Sequence, residues 1–208
     1  MVGDMTAGQI TRQVVFVVVG STVSAYGITL AIHAGFGSAT LAVLWQGISK
    51  VSGISLGGSS MLVAVIMIAI AWKFDPTQIG IGTILYQIVY SPLVDVFSIL
   101  HRYSGFAPID FVLMLTGIAI FAVGIGTYSA TDLGRGSYEA FSFALAQRFN
   151  RGISKARIAC DVSVVALGFV LGGVFGLCTI CTIFMSGPII GATVKRVRRF
   201  VQPDFQTR

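Results

Sequence analysis

The chain has 208 residues, of which 55% are hydrophobic and only 11% charged, with a mean hydropathy of +0.87. A soluble domain carries about 25% charged residues, and helices apolar on every side have no stable place in water, so the bilayer is the solvent. The net charge of +6 therefore does not read as nucleic-acid binding: the basic residues lie between apolar runs and in the KRVRR segment 195–199, where they serve orientation and lipid contact.

Crossing the hydrocarbon core takes about 20 apolar residues. Residues 1–11 read as a cytoplasmic tail, and the first span covers 12–33. It follows a single basic residue, Arg12, and has no small-residue cleavage site after it, so it reads as retained and not as a signal peptide. A short helix at 37–51 comes next, then spans at 56–73 and 79–100, the latter holding Gln87, Pro92 and Asp95. These make a first membrane repeat, 12–104. A second repeat, 105–200, has a span at 109–131, a short helix at 136–150, a span at 155–173 holding Asp161, and a last span at 175–195, with a cytoplasmic tail at 201–208. Ser55 and Ser154 stand at N-cap positions. Pro92 and Pro188 predict helix kinks.

The two repeats are legible as repeated text. HAGFGSATLAVLWQGISKVSGIS (33–55) aligns without a gap on DLGRGSYEAFSFALAQRFNRGIS (132–154), 99 residues on, with six of 23 positions identical. Background composition gives about one or two. Farther along the separation falls to 96, where Thr83 meets Thr179 and Pro92 meets Pro188. The predicted architecture is an all-α polytopic membrane protein of about six transmembrane helices plus two short or re-entrant helices, in two tandem structural repeats. Lys and Arg favour the cytoplasmic side. With both termini cytoplasmic, 12 of the 14 basic residues lie inside whether the chain has six spans or eight. The short helices, at about 22 Å, fall short of the roughly 30 Å core, which favours six full spans. Six spans make the repeats inverted; eight make them parallel.

The candidate substrate-binding residues gather at the two glycine turns: His33, Gly35, Gly37 and Ser38 in the first half, and Asp132, Gly134, Arg135, Gly136, Ser137 and Glu139 in the second. Glycine allows sharp turns and close backbone approach, and a helix start offers free N–H groups to an anion. The same glycines also serve simple tight packing. His33 and Asp132 are equivalent ionisable positions, fit either for proton coupling or for the membrane interface. Glu139 lies four residues after Arg135, a helical pairing distance. Trp45, Tyr86, Tyr90 and Tyr138 fit an interfacial belt better than a pocket. Gly168, Gly172 and Gly176 form a small-residue stripe for close packing, within the chain or between chains. The spacing of Cys178 and Cys181 matches a metal site, but no second pair completes it and small packing residues are the better reading. No catalytic residue, metal ligand or cofactor is indicated.

The run YGITLAIHAGFGSATLAVLWQGIS, followed by IGIGTILYQIVYSPLVDVF, GIGTYSATDLGRGSYEAF and MSGPII, resembles the bacterial YczE-like family of integral membrane proteins over nearly the full length. Family members often carry Pro-Trp-Asp where this chain has Ala39-Thr40-Leu41. The resemblance implies a transporter-like polytopic protein of the bacterial inner membrane, some relatives being linked to secondary-metabolite production. The first functional expectation is a small-molecule permease with its site between the halves. The alternatives are a non-transporting accessory or scaffold protein, including a substrate-capturing subunit of a larger importer, and a lipid-handling flippase. The partners expected are membrane lipids, an unknown small-molecule substrate, and a homodimer or partner membrane complex.

Overall fold

In hydrocarbon each backbone N–H and C=O must find a partner inside the protein, and the α-helix supplies one locally. A computed structural model describes residues 6–101, 107–131 and 133–201, and the regular structure among them is helical. The helices are α1 (Ala7–His33), α2 (Thr40–Ser52), α3 (Leu56–Phe74), α4 (Ile81–Leu100), α5 (Ala107–Ser129), α6 (Ser137–Arg148), α7 (Ile153–Val170) and α8 (Leu177–Val201), with a short 3-10 turn, Pro76–Gln78, before α4. Among the described residues five helices are long and apolar enough to span a membrane: α1, α3, α4, α5 and α8. The chain is an all-α polytopic membrane protein. The sequence counts a further span at 155–173; the corresponding α7 has 18 residues and includes Lys155, Arg157 and Asp161, so it does not qualify by composition.

The central contact joins α1 to α5 through glycine. A Cβ placed on Gly27 would lie 2.3 Å from the Phe121 backbone nitrogen, and one on Gly124 would lie 2.4 Å from that of Ser24. The two backbones therefore touch where no side chain fits. Gly20 meets Gly124 and Tyr128, Gly27 meets Gly117 and Phe121, and Ala31 meets Gly117, so the two helices run antiparallel. By contrast α1 and α4 run parallel: Tyr26 packs on Phe97 and, farther along both helices, His33 lies near His101. The chain thus leaves α1 beside the end of α4, and it also enters α3 there, since Gly57 N donates to Asp95. Segment 34–55, with α2 in it, begins and ends at the same end of α4.

The two non-helical turns dock reciprocally. Segment 34–39 seats on the start of α8: Ser38 N donates to Val174 O (3.0 Å), Cys178 N to Phe36 O (2.9 Å) and Thr179 Oγ1 to Ser38 O (2.5 Å). In the second turn, Leu133 and Arg135 seat on the start of α4: Arg135 N donates to Gln78 O (3.1 Å), Gly82 N to Leu133 O (2.7 Å) and Thr83 Oγ1 to Arg135 O (2.6 Å). The same three bonds recur, and they pair Gly37 with Gly134, 97 residues apart, both at positive φ (92° and 122°). The sequence alignment pairs Gly37 with Gly136 instead. Gly136 has φ −57° and is the N-cap of α6, equivalent to Ala39 before α2. Identity followed the glycine letters, whereas the backbone requires only the one left-handed position common to both turns. Ser38 consequently precedes α2 by two residues and does not open it.

Other local expectations divide. Ser55 caps α3, its Oγ accepting from Gly58 N at 3.0 Å, but the N-cap of α7 is Gly152 and not Ser154. Pro92 and Pro188 lie inside α4 and α8, which continue through them. The glycine stripe is filled by the chain itself: Gly168 abuts Leu44 N of α2, and Gly176 abuts Phe36 O of the first turn. Cys178 packs with Ala31, Met114 and Ile118 as a core residue.

The main helix pairings of the two halves correspond (α1–α4 with α5–α8, α2–α3 with α6–α7, α2–α7 with α6–α3), except that the α3–α4 pairing has no α7–α8 counterpart. In the first half α3 lies on α4, joined where the Asp95 carboxylate accepts from Ser55 Oγ (2.6 Å) and Gly57 N (2.7 Å). A buried Ser60–Gln87–Ser91 cluster continues the seam, with the Gln87 amide donating to Ser60 Oγ at 3.1 Å and to Ser91 Oγ at 2.6 Å. At a separation of 96 residues, Gln87, Ser91 and Asp95 become Ile183, Gly187 and Gly191. No such seam is possible in the second half, and α7 and α8 do not pack along their length.

Two outcomes follow from this packing. Gly27→Leu forces α1 from α5 and lowers unfolding stability in detergent by about 1–3 kcal/mol, the range for overpacking, whereas Gly8→Ala, exposed in the first turn of α1 with open space around it, does not lower the melting temperature. Asp95→Ala removes two hydrogen bonds to a charged acceptor and costs about 1–3 kcal/mol in the same assay, with Asp95→Asn costing less.

Candidate functional site

The failure of α7 and α8 to close leaves a cavity of about 500 Å³ between the halves. Ile28 of α1, Trp45 of α2, Tyr86, Gln87 and Tyr90 of α4, and Phe121 and Tyr128 of α5 form one side. The starts of α2 (39–42) and α6 (136–139), Arg157 and Asp161 of α7, and Thr182 and Ser186 of α8 complete it. Both short helices therefore present their N-terminal turns to the same space.

Those two ends differ electrically. A helix N-terminus carries a partial positive charge on N–H groups without an intrahelical partner. At α2 the N-cap is Ala39, no side chain caps the turn and no acidic residue lies in it. At α6 Glu139 lies in the first turn, and a Cβ on Gly136 would meet its Oε2 at 2.3 Å, so the carboxylate folds back over its own helix start. Glu139 also accepts from Arg157 Nη1 at 3.5 Å, and the Arg157 guanidinium lies 5.0 Å from the centroid of the Tyr138 ring. Tyr138 Oη donates to Asp161 at 2.5 Å. The cavity wall thus holds two carboxylates and one guanidinium.

An aromatic row crosses the cavity. Trp45 meets Tyr90 edge-on with ring centroids 5.9 Å apart; Tyr90 stacks on Tyr86 at 5.1 Å, and Tyr86 on Tyr128 at 4.5 Å. The Tyr128 hydroxyl donates to Gly134 O at 3.1 Å, tying the row to the second turn. Trp45 Nε1 and Tyr90 Oη have no hydrogen-bond partner, although Trp45 is only 5% and Tyr90 only 2% exposed.

Of the residues singled out in the sequence, Gly136, Ser137 and Glu139 line this cavity. Gly37 and Gly134 lie behind it as packing points: a Cβ on either would fall within 2.7 Å of the backbone at the start of α8 or α4. Gly35, at φ 83°, turns the chain out of α1. Ser38 is fully buried in the docked turn, its Oγ unpartnered. His33 does not line the cavity; its Nδ1 is 2.8 Å from Thr29 O and its ring 6.2 Å from that of His101. Burial and the neighbouring His33 push His101 below the usual imidazole range. Asp132 lies outside the described residues. Arg135 does not pair with Glu139: it precedes α6, and its guanidinium sits 3.9 Å from the Phe143 ring centroid, while Glu139 takes Arg157.

The aromatic residues correct the belt assignment. Trp45, Tyr86, Tyr90 and Tyr138 are all buried cavity residues. A signal for this was present: Tyr86 and Tyr90 sit mid-span, on the same helical face as Gly82, Thr83, Gln87 and Ser91, whereas a belt belongs at span ends. A second hollow, about 690 Å³, lies among α2, α3, α6 and α7. It is walled almost entirely by aliphatic and aromatic side chains, with Arg151 and Lys155 at one end, and offers little chemistry.

Three relatives share most of this chain. It is 29% identical to an uncharacterized protein of Haemophilus influenzae over 161 residues, covering 77% of this chain and 73% of that one. It is 19% identical to the uncharacterized membrane protein YczE of Bacillus subtilis (84% and 82% covered) and 23% identical to the uncharacterized protein YyaS of the same organism (87% and 92%). No solved structure matches. Residues 11–195 match the family of unknown function DUF6198, so the chain belongs to that family, and the YczE-like resemblance read from its motifs holds.

Proposed function

We propose that the protein is a small-molecule transporter of the bacterial inner membrane whose substrate binds in the cavity between two inverted repeats. The observation that carries this reading is a cavity, walled by both halves, into which two short helices point their N-termini. Transporter sites are built from broken or partial helices at the interface of repeated halves. Three features support inversion. The equivalent helices α1 and α5 run antiparallel; α1 and α4 run parallel; and the docking bonds of the two turns recur with the halves exchanged. All three agree with α2 and α6 as re-entrant helices and with six crossings, α7 being the sixth. With the basic ends of α7 and α8 placed in the cytoplasm, both termini lie inside.

The unequal seams supply a transport cycle. The outer seam, α3 on α4, is closed by Asp95 and the Ser60–Gln87–Ser91 cluster. The inner seam, α7 against α8, is open. Exchanging the two states, one half rocking on the other about the α1–α5 contact, exposes the cavity to alternate sides. A scaffold or importer-subunit role loses its expected docking stripe to the chain's own α2. Lipids remain partners of the outer surface, including the apolar hollow.

The test needs no substrate. In a protein with Cys160, Cys178 and Cys181 replaced, a single cysteine at Ser186 is labelled in sealed vesicles by an impermeant thiol reagent applied from either side. Labelling from both sides is the expected result, and Asp95→Ala raises outside labelling by about threefold or more, as loss of about 0.7 kcal/mol from the closed seam requires. Labelling from one side only, unchanged by Asp95→Ala, removes the transport reading.

A further inference from the structure

We propose that the cavity recognises a zwitterionic small molecule with a flat apolar body: an anionic group against the first turn of α2, an ammonium group at Glu139 and Asp161, and the body along the tyrosine row. The assignment rests on the transport reading for its cavity and adds the class of substrate.

The donor end comes first. The N–H groups of Thr40, Leu41 and Ala42 begin α2 with no side-chain acceptor, since Ala39 cannot cap and no acid lies in the turn. One helical turn beyond Leu41, Trp45 Nε1 is unpartnered, and so is Tyr90 Oη across from it. The indole N–H is a donor only. A buried donor left without an acceptor is costly. Two such side chains beside an uncapped helix start therefore require an acceptor that the chain does not contain. A carboxylate satisfies the donors and the helix dipole together.

The acid end has the opposite need. Glu139 and Asp161 are balanced by Arg157 alone, and the Glu139–Arg157 contact is a loose 3.5 Å. The partner of Asp161 is a neutral phenol, Tyr138. By formal charge, the cavity wall has one more acidic group than basic. An ammonium group neutralises this excess.

The aromatic row joins the two ends. It starts at Trp45, on the helix whose first turn is bare, and finishes at Tyr128, whose Cε1 would lie 3.7 Å from a Cβ on Gly136, beside the Glu139 carboxylate. A simple anion meets two carboxylates; a simple cation leaves the α2 donors empty. Only a ligand with both charges, spaced by a planar body, satisfies each end.

Trp72→Phe provides the readout, because the chain has two tryptophans and the exposed Trp72 is the other one. Fluorescence of Trp45 in purified, detergent-solubilised Trp72→Phe protein is titrated with para-(aminomethyl)phenylacetate, with para-methylphenylacetate and with para-methylbenzylamine. The zwitterion is expected to bind at least about tenfold more tightly than either singly charged probe. Adding Tyr90→Phe weakens the two carboxylate probes and spares the amine; adding Glu139→Gln weakens the two amine-bearing probes and spares the simple carboxylate. Equal binding of all three, no response to any, or equal loss for all probes in both variants overturns the assignment, with melting curves confirming folded protein. Loss of two-sided cysteine labelling with this selectivity intact removes transport and leaves the site, and the converse removes the site and leaves transport.

Discussion

The structure depends on satisfying two stretches of non-helical backbone packed among its helices. A buried turn without partners leaves several peptide groups unpaired, each costing on the order of kilocalories. The chain resolves this by exchange. The turn after α1 gives its peptide groups to the start of α8, and the turn after α5 gives its own to the start of α4. Each helix start has orphan N–H groups to offer, and each turn has spare carbonyls to fill them. Glycine at 37, 80, 134 and 176 allows the backbones to come within bonding distance.

That exchange also produces the cavity. Holding the turns against α8 and α4 pins the starts of α2 and α6 in the interior, pointing into the same space. The short helices have 13 and 12 residues, fewer than the roughly 20 that a crossing takes. Their first turns line the cavity. The α1–α5 contact, backbone on backbone, is a rigid spine that brings the two halves together without filling the space beside it.

Departure from symmetry is where specialisation enters. The first half has a polar seam at Ser60, Gln87, Ser91 and Asp95, while the corresponding second-half positions in α8 are Ile183, Gly187 and Gly191. The α2 start carries no acid, whereas the α6 start carries Glu139 with Arg157 and Asp161 in front of it. The molecule thus has one closed flank and one open one, and one donor-rich pole and one acidic pole.

Composition alone determined the solvent, the helical class and most of the spans, because hydrocarbon admits few backbone solutions and apolar length records them directly. The repeated glycine text marked both turns and the two short helices, and part of the second turn's neighbourhood, Gly136 to Glu139, proved to be cavity wall. Tertiary structure decided the rest. The two-residue difference in register arises because backbone conformation, and not residue identity, defines equivalence between the turns. Glu139 takes Arg157 over Arg135 because α7 folds across the start of α6, a contact 18 residues away that no helical spacing encodes. Tyr86, Tyr90 and Trp45 face the cavity and not the lipid because α1, α4 and α5 close around them, and which face of an apolar helix meets protein is settled only by its neighbours.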